Sequence, residues 1–185
     1  HGAHRKMQVV FQDPFGSFNP RHKVARLIAE PFHLLDKRPP RHEQASAVSS
    51  ALADVGLKPS DADRYIHEFS GGQRQRIAIA RAIIIRPDLI IFDEAVSALD
   101  VSVRARILDL LAKLCDTHNL TYLFISHDLS VVRSITDRVM VMQAGQIVEE
   151  GPTERVFTNP QHSYAKRLVA AVPPVVIPAV KGLNT

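Results

Sequence analysis

The chain has 185 residues, 45% of them hydrophobic, enough for one domain with a packed core. Its formal net charge of +4 comes from scattered rather than clustered basic residues, so no nucleic-acid surface is indicated. The single cysteine, Cys115, excludes an internal disulfide and fits a reducing compartment, and no apolar run reaches the roughly 18 residues of a membrane span. No leader is visible, and an opening His1-Gly2-Ala3 without methionine reads as a fragment.

Met7-Gln8-Val9-Val10-Phe11 predicts a short strand that Gln12-Asp13-Pro14 ends. From Lys23 to Leu35, residues Val24, Leu27, Ile28, Phe32 and Leu35 have helical spacing, with Pro31 as a kink. Pro39-Pro40 is a linker. A second helix spans Arg41 to Val55, closed by Gly56. These residues predict a helical segment between Gln12 and Phe69.

The stretch Phe69 to Asp100, FSGGQRQRIAIARAIIIRPDLIIFDEAVSALD, is the most informative. Ser70 and Gln73 fit an S-x-x-Q capping box at the start of a helix that runs to about Arg86, where Pro87 stops it. Gly71 and Gly72 lack Cβ atoms, so backbone N–H groups at a positive helix end could approach a phosphate closely. On the residues alone, a plain cap and a phosphate site both remain open. Leu89-Ile90-Ile91-Phe92 predicts a strand buried on both faces, as in parallel sheets. Asp93 and Glu94 fall at its C-terminal end, where ligands of open α/β sheets sit. They are hard ligands suited to Mg²⁺, and one could hold a water for attack on a phosphate. Taken alone, a solvated strand end explains them equally.

An amphipathic helix follows from about Ser102 to Thr117, with Ile107, Leu110, Leu111 and Leu114 inward and Asp100 as a candidate N-cap. Leu120 to Ser126 predicts another buried strand, ending at His127-Asp128. A short helix covers Leu129 to Ile135. Strands at Arg138 to Gln143 and Gln146 to Glu150 flank an Ala144-Gly145 hairpin turn. A last helical piece starts at Pro152 to Phe157, and Pro173 to Thr185 predicts an extended tail.

The order of these features closely resembles ABC-type ATPases. Ser70, Gly71, Gly72 and Gln73 match the signature motif, Leu89 to Asp93 match Walker B, and Ser97 to Asp100 match the D-loop. Phe69 stands where Leu is usual and Ala95 where Pro is frequent, and neither change removes a chemical group. By resemblance, Glu94 is the catalytic glutamate and Asp93 holds Mg²⁺ through water. Gln12 is the Q-loop glutamine, which reaches the Mg²⁺ and attacking-water region. His127 is the H-loop histidine at the γ-phosphate, and Asp100 contacts the opposite subunit's phosphate loop. Within the family, Gln12 to Arg21 resembles the Q-D-P-x-x-S-L-N-P-R run of peptide and nickel importers, with Phe18 for Leu. Asn159 to Tyr164 resembles their N-P-x-H-P-Y-T segment, with Ser163 for Pro and Ala165 for Thr.

The resemblance covers about residues 7 to 172. It implies an α/β P-loop NTPase of ABC type, partial, because no G-x-x-x-x-G-K-[ST] and no upstream adenine-stacking aromatic are present. The implied organisation is residues 1–13 as the end of the N-terminal core with the Q-loop, and 14–68 as an inserted helical subdomain. Residues 69–151 form the remaining core, 152–172 a C-terminal extension and 173–185 a flexible tail. The implied cofactors are ATP and Mg²⁺. The implied partners are transmembrane permease subunits, a second ATPase subunit (homo- or heterodimer) and, indirectly, a substrate-binding protein, but no nucleic acid. The implied place is peripheral, on the cytoplasmic face of the cell membrane. The cargo reading is di- or oligopeptides, with nickel or another small cargo as alternative. A catalytically incompetent fragment that only binds a partner is the rival reading. Chromosome-type relatives are excluded because the Q-loop-to-signature segment is too short for a coiled coil, and translation-type ones are disfavoured by the single signature.

Overall fold

The computed structural model describes residues 6–13 and 16–171. The sequence expectations at residues 1–5, 14–15 and 172–185, the tail included, lie outside them. The chain divides into two compact units between Ser126 and His127.

The first unit opens with β1 (Met7–Phe11), followed by α1 (Val24–Ile28) and a 3₁₀ turn at Glu30–Leu34. The single kinked helix expected here is thus two pieces. Pro31 has no N–H to donate and its ring opposes the carbonyl four residues back, so the α-helix stops before it. Helix α2 (Arg41–Asp54) ends in a Schellman arrangement around Gly56, which sits at φ 73. There the Gly56 N–H donates to Ala53 and the Leu57 N–H donates to Leu52. Two 3₁₀ turns, Pro59–Asp63 and Ile66–Glu68, lead to α3 (Gly71–Ile83). Helix α3 ends before the expected Arg86, which adopts φ 51. The following Pro87 disfavours helical geometry at Arg86, so the chain leaves the helix early.

Strand β2 (Leu89–Asp93), helix α4 (Val101–His118) and strand β3 (Thr121–Ile125) complete the unit. The three strands form a parallel sheet in the order β1-β2-β3. In register, Phe11 lies beside Asp93, and Asp93 beside Ile125. One face is covered. Val10, Ile90 and Phe92 are buried, and the Phe92 ring stacks on Phe124 at 4.7 Å and meets Tyr122 edge-on. Helix α3 packs on β1, and the Tyr122 hydroxyl donates to the Leu111 carbonyl of α4.

The other face differs from expectation. The apolar run of β2 predicts burial on both faces, and that of β3 predicts a buried strand. Instead Leu89 and Ile91 are half-buried, while Leu123 and Ile125 are exposed, as are Val9 and Phe11 beside them. The described helices α3 and α4 cover a single face, so alternate side chains of every strand point outward. In α4, Ile107, Leu111 and Leu114 are buried, but Leu110 is only half-buried at the edge of the apolar stripe.

The second unit contains α5 (Leu129–Ile135), β4 (Arg138–Gln143), β5 (Gln146–Pro152), α6 (Thr153–Thr158) and α7 (Ser163–Ala170). The antiparallel hairpin turns at Ala144-Gly145, both at positive φ (49 and 80), the type I′ geometry that matches strand twist. Glu149, only 8% exposed, accepts the backbone N–H of Gln161 at 3.0 Å and of His162 at 2.9 Å. It thereby pins the Asn159-to-Tyr164 segment to β5.

Candidate functional site

Helix α3 begins as its sequence demands. The Ser70 hydroxyl accepts the Gln73 N–H at 3.4 Å, and the Gln73 side-chain carbonyl accepts the Ser70 N–H at 3.0 Å. This reciprocal box leaves the first-turn N–H groups of Gly71 and Gly72 without intrahelical acceptors. The two glycines then part ways. A Cβ on Gly71 would meet nothing within 4 Å, whereas one on Gly72 would lie 2.5 Å from Cγ1 of Val103. Gly71 therefore presents bare backbone to open space, and Gly72 lets α3 approach the first turn of α4. The two glycines are alike in local pattern, and only the approach of Val103, far along the chain, separates them.

The sheet assembles the second group. Asp93 ends β2, level with Phe11 on one side and Ile125 on the other. Gln12 follows Phe11 and Glu94 follows Asp93, so both stand past the same C-terminal edge on adjacent parallel strands. Gln12 is exposed, and the two carboxylates are half-buried. Glu94 adopts φ 51, a left-handed backbone uncommon for glutamate. It is held there by its N–H donating to Ile125 at 2.9 Å, while the Ser97 hydroxyl donates to the Glu94 carbonyl at 2.7 Å.

Asp100 caps α4 in fact. Its carboxylate accepts the Val103 N–H at 3.0 Å and the Ser102 hydroxyl at 2.9 Å. These bonds, the Val103 N–H foremost, hold its pKa below the usual aspartate range. The Arg104 guanidinium donates to the carbonyls of Ser97 and Leu99, tying down the loop between Glu94 and Asp100. His127 opens the second unit, directly before Asp128, whose carboxylate caps α5 through the Ser130 N–H at 3.0 Å.

The sheet thus brings Gln12, Asp93 and Glu94 to one edge. Ser70–Gln73 and Asp100 sit at the starts of two helices that meet through Gly72 and Val103. Among the described residues no group of three or more His, Cys, Asp or Glu forms a metal cage.

The sequence model of the ABC transporter family matches residues 1–97. The dipeptide transport ATP-binding protein DppF of Haemophilus influenzae is 51% identical over 169 residues, spanning 91% of this chain and 51% of the relative. The oligopeptide transport ATP-binding protein AppF of Bacillus subtilis is 53% identical over 169 residues, with the same shares. The chain therefore spans about half the length of these curated relatives. Among solved structures, CbiO1 of Clostridium perfringens, part of the ABC transporter complex cbiONQ, superimposes with a TM-score of 0.74 at 28% identity. That match covers 84% of this chain and 60% of that one.

Proposed function

The chain belongs to the ABC transporter family, and from that membership we propose that it is part of an ATP-hydrolysing subunit that powers import of di- or oligopeptides. The observation that carries this reading is the shared sheet edge of Gln12, Asp93 and Glu94. Two carboxylates and an amide there suit a cation that arrives with its phosphates and keeps much of its water, as Mg²⁺ does. The open backbone at Gly71 suits a phosphate oxygen.

When bound, Mg·ATP supplies a γ-phosphate made electrophilic by the cation. Asp93, through water, and Gln12 would hold the cation. Glu94 would accept the proton of the attacking water as general base, and the family resemblance gives His127 the part of orienting that water. Ser70, Gly71, Gly72 and Gln73, with Asp100, would engage a nucleotide held by a second ATPase subunit. Residues 14–68 would meet transmembrane permease subunits, and a substrate-binding protein would deliver cargo to them. No helix among the described residues is long and apolar enough to cross a membrane. The subunit would sit peripherally on the cytoplasmic face.

The test is Glu94→Gln in the parent subunit. ATP binding should persist while phosphate release falls on the order of 10²–10⁴-fold; turnover at the wild-type rate would remove Glu94 from its role. Cargo is tested by uptake of labelled di- and oligopeptides in a deletion strain. Intact peptide uptake with lost nickel or glutathione uptake would redirect the cargo assignment and leave the ATPase reading standing.

A further inference from the structure

Arg81 lies in the last turn of α3, the helix whose first turn is Ser70–Gln73, and its side chain is only 17% exposed. The guanidinium reaches back 64 residues along the chain to the segment that follows Gln12. One nitrogen donates to the Ser17 carbonyl at 3.2 Å and the other to the Ser17 hydroxyl at 3.0 Å. The Glu30 carboxylate accepts from it at 3.5 Å, and the cation lies 4.5 Å over the ring of buried Phe18. The fork geometry of arginine allows this multiple hold, which lysine cannot reproduce. At its other end, α3 is seated on α4 through the Gly72–Val103 approach. Between the two ends, Ile77, Ile79, Ala80 and Ile83 are buried, so α3 is packed along its length.

We propose that Arg81 is a positioning residue that transmits the placement of the segment after Gln12 along α3 to the Ser70–Gln73 turn, about 15 Å away. A buried helix fixed at both ends moves as a unit rather than bending. The inference rests on the reading of Gln12 and Ser70–Gln73 as nucleotide-handling elements, but its mechanical content does not need nucleotide.

Hydrogen exchange on the 185-residue chain tests it, comparing wild type with Arg81→Met and Arg81→Lys. Loss of a charge-assisted hold corresponds to about tenfold faster local opening. In Arg81→Met the acceleration should appear at the amides of residues 16–19 and also at those of Gln73 and Arg74, which donate to Ser70. The β4–β5 hairpin should be unchanged, and Arg81→Lys should fall between. Acceleration confined to residues 16–19, or equal everywhere, would overturn the proposal. Should Arg81→Met fail to fold, the double variant Ser17→Ala with Glu30→Ala removes the hydroxyl and carboxylate acceptors from the other side and leaves only the Ser17 carbonyl. It must then show the same two-site pattern, and its absence counts against the proposal equally. Because the readout uses no ATP, failure of the nucleotide reading would show in the Glu94→Gln assay and leave this result untouched.

Discussion

Gly71 and Gly72 are neighbours with opposite duties, and substitution should separate them. Gly71→Ala should leave the fold intact or stabilise it by up to about 1 kcal/mol, since alanine is the better helix former and its Cβ meets open space. Gly72→Ala should cost about 1–3 kcal/mol, because the new methyl collides with Val103, whose branched side chain has little freedom on a helix. Urea unfolding of the two variants measures both, and equal behaviour would refute the division. Gln75 offers a second residue-scale test. Its side chain is 1% exposed in α3, and neither its amide nitrogen nor its amide oxygen has a hydrogen-bond partner among the described residues. A buried unmet amide is costly, so Gln75→Leu should stabilise the chain by about 1–2 kcal/mol. A loss of stability instead would mean that the amide is satisfied by bound water.

At the scale of elements, the β5–α7 junction is held by one buried carboxylate. The backbone N–H groups of Gln161 and His162, together with Arg155, hold the pKa of Glu149 below the usual glutamate range. A carboxyl whose folded pKa is depressed contributes stability above its unfolded value of about 4.3 and loses it as pH falls through the folded value. Exchange at the Gln161 and His162 amides should therefore be slow at neutral pH. Once the intrinsic pH dependence is removed, their protection should fall below about pH 4.3. Glu149→Ala should abolish that pH dependence and cost about 1–3 kcal/mol, since two N–H donors lose their acceptor. Protection independent of pH in the wild type would show that the carboxylate is not the anchor. The Asn159-to-Tyr164 segment, notable in sequence as a subfamily mark, thus has a structural use of its own.

Taken whole, the described residues include stretches that resemble the family's signature, Walker B, D-loop and Q-loop, without any phosphate-loop motif in the 185-residue sequence. The lysine and backbone cradle that grip the β- and γ-phosphates are not among these residues. The 185 residues by themselves should bind Mg·ATP weakly and release phosphate no faster than background. Titration calorimetry and a colorimetric phosphate assay check this, and micromolar affinity with steady turnover would contradict it. The outward sheet face of Val9, Phe11, Leu123 and Ile125 is a second whole-molecule feature. An apolar patch of that kind should bind a hydrophobic dye such as ANS, and Val9→Lys with Leu123→Lys should reduce the signal without unfolding the chain.

Local chemistry was legible in the sequence. The Ser70–Gln73 box, the Asp100 cap, the Ala144-Gly145 turn and the parallel strand ending in Asp93 each depend on residues a few positions apart, so short-range pattern fixes them. The motif order from Ser70 to Asp100 was enough to indicate the family, since each spacing reflects one turn, one helix or one strand. What only the tertiary structure decided involves partners distant in the chain. Examples are Gly72 against Val103, Arg81 on Ser17, and the Glu149 carboxylate on the Gln161 and His162 backbone. Burial of β2 and β3 is decided in the same way. An apolar run shows that a strand can be covered on both faces, but the layers that pack against it determine which faces are.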